Sequence, residues 1–113
     1  MGLRQTRLAD EIRDVIAAAF SGGNMRDPRL EGITVTAVKL TADLQLASVY
    51  FRIYGDDPIK AAELAREGLK SAVGYLRRKV AEAVDIRRVP NLRFFYDESI
   101  ERGSRIEGLL ARL

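Results

Sequence analysis

Apolar side chains recur at helical spacing from the start of the chain. Leu8, Ile12, Val15, Ile16, Ala19 and Phe20 fall on one stripe, while Arg7, Glu11 and Asp14 fall on the opposite side. This pattern predicts an amphipathic helix from about Gln5 to Phe20, ended by Gly22-Gly23. A loop through Asp27-Pro28-Arg29-Leu30 follows; Asp and Pro there are expected to set the turn leading into a strand. From Ile33 to Leu40 the period changes to two, with Ile33, Val35 and Ala37 on one side and Thr34, Thr36 and Val38 on the other. After a turn at Thr41-Ala42-Asp43, a second strand is expected from about Gln45 to Tyr54. It places Ala47, Val49, Phe51 and Ile53 on one face and Ser48, Tyr50, Arg52 and Tyr54 on the other. One apolar and one mixed face predict a hairpin covered by helices on one side only.

Asp57 and Pro58 read as N-cap and first residue of the next helix. Its apolar positions run through Ile59, Ala62, Leu64, Ala65, Leu69 and Val73, then Leu76, Val80, Ala83 and Val84. Between them Ala72 and Gly74 remove side chains from one turn. Glycine inside a helix costs about 1 kcal/mol relative to alanine, so the expected feature is a kink or corner at Ala72 and Gly74 joining two helices. Arg77, Arg78 and Lys79 would then open the second helix, where three cations do not help the helix dipole. That placement points either to a polyanionic partner or to a solvated face. A third strand is expected from Pro90, with Leu92, Phe94 and Tyr96 on one side and Arg93 and Phe95 on the other; these aromatics are expected to pack in the core and on the sheet rather than to stack bases. The expected order is α-β-β-α-kink-α-β in an α+β fold, followed by a last helix bearing Ile100, Ile106, Leu109 and Leu110 and capped by Asp97 or Ser99.

The 113 residues are expected to form one domain, residues 1–113. Hydrophobic residues at 47% and charged residues at 31% fit a globular chain, and no apolar run is long enough for a membrane span. The chain has no histidine and no cysteine. That removes the commonest general base, the thiol nucleophile and the usual transition-metal ligands, and makes a reducing, cytoplasmic setting the default. Asp56-Asp57 and Asp97, Glu98 and Glu101 read as turn and helix-start acids. No catalytic residue, metal site or cofactor is therefore expected. The net charge of +3 is unevenly spread: residues 1–69 hold 9 Lys and Arg against 10 Asp and Glu, and residues 70–113 hold 10 against 6. The basic excess sits in and after the expected kink, which points to nucleic acid or another anionic surface.

Leu92-Arg93-Phe94-Phe95-Tyr96 lacks the glycine-aromatic pattern of an RNA-recognition sheet, and no two glycines stand three apart as in the Gly-x-x-Gly loop of a K-homology (KH) domain. Ala72-Val73-Gly74 takes that loop's place. Together with Asp27-Pro28-Arg29-Leu30, Tyr75-Leu76-Arg77 and the long stretch Arg88-Val89-Pro90-Asn91-Leu92-Arg93-Phe94-Phe95-Tyr96-Asp97-Glu98-Ser99-Ile100, it makes the chain resemble bacterial ribosome-binding factor A over essentially its whole length. The resemblance implies a KH-like type II domain and a non-catalytic factor. It also implies binding to the free 30S small ribosomal subunit and its 16S rRNA late in maturation, importance for growth in the cold, and release in some bacteria with an assembly GTPase. Many family members carry a charged C-terminal extension, whereas this sequence ends at Leu113.

On this reading Arg77, Arg78, Lys79, Arg87 and Arg88 supply charge toward folded rRNA, with Arg4, Arg7 and Arg13 as secondary candidates. Replacing Arg77 and Arg78 is expected to abolish binding and leave stability intact. The expected state is a monomer without membrane attachment. Competing readings are a general single-stranded-RNA KH module and a protein adaptor using the sheet face around Tyr50, Arg52 and Tyr54.

Overall fold

A computed structural model of the chain describes residues 2–23 and 25–98. Helix α1 spans Leu3–Ser21 and buries Leu8, Ala9, Ile12 and Ile16. It stops at the glycine pair: the Gly22 N–H donates to the Ala18 carbonyl at 2.9 Å, and Gly23 takes a left-handed φ of 76°. Strands β1 (Ile33–Leu40) and β2 (Leu46–Ile53) form the antiparallel hairpin, helix α2 (Pro58–Ala83) crosses over, and β3 (Asn91–Tyr96) pairs parallel to β2. The sheet order is β1-β2-β3, so β2 is central. This is the α+β, KH-like arrangement implied above. The expected C-terminal helix lies outside the described residues.

The alternation on β2 is regular, with Ala47, Val49, Phe51 and Ile53 buried and the residues between them half-buried. On β1 the phase changes. The register shifts between Val35 and Ala37, leaving Thr36 as an extra residue, which is a β-bulge. Val38 and Leu40 therefore pair with Val49 and Ala47 on the helix side, and Ala37 and Lys39 turn to the open side. The expected grouping of Ala37 with Ile33 and Val35 is corrected accordingly.

The expected pair of helices joined at Ala72 and Gly74 is also corrected: α2 is one helix of 26 residues, unbroken through both positions. Its buried stripe, Ala62, Ala65, Leu69, Ala72, Leu76 and Val80, keeps three- and four-residue steps straight past the glycine. Gly74 lies off that stripe, exposed, and a Cβ there would touch nothing within 4 Å. Its propensity cost of about 1 kcal/mol is outweighed by burial of Leu69, Leu76 and Val80, each with at most 1% exposure and each worth about 1.5–3 kcal/mol. Ala72 is small because it is buried against the core. One consequence is that Arg77, Arg78 and Lys79 approach the C-terminal end of a helix rather than starting one, so the helix dipole does not oppose them.

The glycine that closeness does require is Gly68. A Cβ there would lie 2.9 Å from Leu30 Cδ2 and 3.0 Å from Leu30 Cγ. Leu30 is buried and belongs to the 3-10 turn Pro28–Leu30. Asp27 caps that turn, accepting the Arg29 N–H at 3.0 Å, while its carboxylate also takes the Arg29 Nη2 hydrogen bond at 2.7 Å. The Arg29 side-chain hydrogen bond, followed by its backbone N–H, holds the Asp27 carboxyl below its ordinary value. The loop expected to lead into β1 is thus locked by its own ion pair and pressed onto α2.

Candidate nucleic-acid interface

The start of α1, the β1–β2 turn, the start of β3 and the end of α2 meet at one end of the molecule. Antiparallel and parallel pairing on the two sides of β2 require this for the strand ends. Gln5 joins α1 to it by donating to the Leu40 carbonyl, and the Asn91 N–H donates to the Gln45 carbonyl at 2.9 Å. The turn itself is shaped by Asp43, whose Oδ1 accepts from the Thr41 hydroxyl at 2.6 Å and from the Gln45 N–H at 3.1 Å. The Thr41 hydrogen bond, then that of Gln45, keeps the Asp43 carboxyl below its usual range. Leu44 follows in a left-handed conformation, φ 61°, rare for a branched side chain. Between this turn and the α2–β3 loop is a recess of about 360 Å³ whose walls include Arg4, Arg87 and Arg88 beside Asp43, Leu44 and Gln45.

Arg4, Arg87 and Arg88 are exposed, and none has an ion pair or hydrogen bond among the described residues. The same holds for Arg7, one turn along α1 from Arg4, and for Arg78. The other candidates are engaged. Arg77 is half-buried and its Nη2 donates to the Val89 carbonyl at 3.0 Å, with Nε buried and unpartnered; it fastens the α2–β3 loop to the helix. Lys79 lies 3.8 Å from Glu82 and 5.5 Å from the Tyr75 ring centre. Arg13 pairs with Asp10 at 3.6 Å and Asp14 at 3.4 Å, midway along α1. The structure thus brings Arg4, Arg87 and Arg88 together, leaves Arg78 open on α2, and ties Arg77, Lys79 and Arg13 to protein partners.

A second basic site was not anticipated from the sequence. A groove of about 320 Å³ runs between α2 and β3, lined by Arg66, Lys70 and Val73 from the helix and by Leu92, Arg93, Phe94 and Phe95 from the strand. The signal for its helical wall was available: Arg66, Lys70, Val73 and Arg77 follow steps of four, three and four, the spacing of one helix face. Gly74 lies beside that stripe and leaves bare backbone between its cations. The wall on β3 could not be read without knowing which strand α2 packs against.

Fold and charge together define a KH-like α+β domain with a basic flank formed by α2, the loop after it and the start of α1. Among the described residues there is no group of three or more metal-ligating side chains, and no helix is long and apolar enough to cross a membrane. The chain belongs to the ribosome-binding factor A family, whose family model, described as Ribosome-binding factor A, matches residues 4–110. It is 44% identical over 108 residues to the Ribosome-binding factor A of Anaeromyxobacter sp. (strain K), an alignment covering 95% of this chain and 76% of that protein. The crystal structure of ribosome-binding factor A from Thermus thermophilus superposes with a TM-score of 0.71 at 29% identity, covering 81% of this chain and 93% of that one. A homology model of the Thermus thermophilus factor, fitted into the cryo-EM map of its complex with the 30S subunit, gives a TM-score of 0.67 at 29% identity, over 83% of this chain and 96% of that one.

Proposed function

We propose that this protein binds the small ribosomal subunit during its assembly, late in 16S rRNA maturation, and that it contacts folded rRNA through phosphates on the basic flank. The observation that carries the proposal is the convergence of Arg4, Arg87 and Arg88 around one recess, with Arg78 open nearby, in a member of this family. Arginine suits the task because its planar fork of donors matches phosphate oxygens. Exposed arginines without carboxylate partners can give all of those donors to a ligand. Gly74, with no Cβ and open space around it, lets a nucleic-acid backbone come close to α2 between Lys70 and Arg78. Binding, not chemistry, is the work assigned to the site, in a chain without histidine or cysteine.

The test is sedimentation of purified small subunits with the wild-type chain and with an Arg78→Glu/Arg87→Glu/Arg88→Glu variant. Wild type should pellet with the subunit and the variant should stay in the supernatant, both with the same melting temperature. If four phosphates are neutralised, affinity should fall by about a hundredfold between about 50 and about 200 mM salt. Undiminished pelleting of the variant would remove this surface from consideration.

A further inference from the structure

The open face of the sheet, opposite the helices, carries two rows of side chains set by register. Lys39, Ser48 and Arg93 stand side by side in one row; Ala37, Tyr50 and Phe95 stand in the next. The Tyr50 and Phe95 rings are 5.6 Å apart and inclined at 31°, and Lys39 Nζ is 5.5 Å from the Tyr50 ring centre. Phe95 is 42% exposed at the edge of the sheet, where it and Arg93 also reach the rim of the α2–β3 groove, whereas its strand neighbours Phe94 and Tyr96 pack against the core. The six positions contain two cations and no carboxylate.

A phenylalanine held half in water on an edge strand forgoes part of the stabilisation its burial would bring. Cations alone would be enough to protect an edge, so that purpose does not account for the ring. Flanked by Lys39 and Arg93, the ring pair offers a flat π surface with positive charge alongside, which is complementary to a base and its adjoining phosphates. A stable protein partner would instead bury about 800 Å² on each side, a broader surface than one half-exposed ring and its neighbour offer.

We infer that this face holds unpaired RNA nucleotides, one base stacked on Phe95 and the neighbouring phosphates on Lys39 and Arg93. The inference rests on the RNA-binding reading for the nature of the ligand. It concerns a different face from the recess of Arg4, Arg87 and Arg88, so the two contacts can fail separately.

The 113 residues contain no tryptophan, so Phe95→Trp in this chain introduces a single reporter. Its fluorescence should be quenched saturably by a short polyuridine RNA. Adding Lys39→Glu and Arg93→Glu should weaken that quenching by about tenfold or more, and Phe95→Ala should weaken binding of labelled polyuridine to a similar extent, as loss of one stacked base implies. Adding Arg78→Glu/Arg87→Glu/Arg88→Glu, the changes that should prevent small-subunit pelleting, should leave the quenching largely in place. Amide shift mapping of the unsubstituted protein gives an independent check, with shifts expected at Lys39, Ser48, Arg93 and Phe95. Absence of saturable quenching, quenching unmoved by the two sheet-face charge reversals, shifts confined to α2, or a reporter that answers to an isolated ribosomal protein and not to RNA would each overturn the inference.

Discussion

Arg77 and Arg78 are adjacent in sequence and do different work. Arg77 donates to the Val89 carbonyl and is half-buried, whereas Arg78 is exposed with no partner among the described residues. Arg77→Ala should therefore lower stability by about 1 kcal/mol, the typical net worth of one intramolecular hydrogen bond, read as a drop in urea midpoint. Arg78→Ala should leave that midpoint in place and weaken small-subunit binding instead. A double charge reversal at Arg77 and Arg78 would mix the two effects, so stability is expected to be spared only by the change at Arg78. Asp27 belongs to this scale as well. Its folded carboxyl is held below the unfolded value by Arg29, so its contribution is fully present above the ordinary carboxylate range and is lost as pH falls through the lower, folded value. A urea series taken from neutral to acid pH should show stability declining in that acid window, with a shallower decline in Asp27→Asn. The carboxyl resonance of Asp27 should titrate below the ordinary carboxylate value, and Arg29→Ala should raise it.

Among elements, α2 separates two glycines with opposite reasons to exist. Gly68→Ala drives a Cβ to 2.9 Å from Leu30 Cδ2, 3.0 Å from Leu30 Cγ and 3.3 Å from Arg29 Cβ. Overpacking of this sort costs about 1–3 kcal/mol, more than the gain of about 1 kcal/mol in helix propensity, so the variant should melt lower. Gly74→Ala meets no atom and should melt higher, by up to about 1 kcal/mol of added stability. If bare backbone at Gly74 is what admits rRNA, the same variant should bind small subunits less well despite being more stable. Most of the elements were legible in the amino-acid order. The stripe of α1, the cap Asp57-Pro58, the alternation on β2 and the opening of β3 at Pro90 are local signals, and each element lies where they indicate. The β1 bulge at Thr36 and the continuity of α2 were not legible. Both depend on what the backbone packs against: β1 must match β2, and one turn with Gly74 survives because its neighbours are buried.

At the scale of the whole molecule, the proposed rRNA contact depends on an end that no segment owns. Arg4 lies more than eighty positions from Arg87 and Arg88, yet all three surround one recess because a parallel β2–β3 pairing returns the chain to where α1 begins. A charge-reversal series across Arg4, Arg87 and Arg88 should reduce the salt dependence of small-subunit binding by nearly one unit of slope per residue, measured by sedimentation at several ionic strengths. Reversal of Arg13, already paired with Asp10 and Asp14, should change that slope little. By itself the amino-acid order determined most of the elements, the side of β2 that is apolar and the bias of positive charge toward the second half, because periodicity, capping and composition act over a few residues. Only the tertiary structure decided which arginines keep their donors for a ligand and which commit them to the protein. That choice depends on which carbonyls and carboxylates the fold places within hydrogen-bonding reach, and such distances arise only once distant segments have packed.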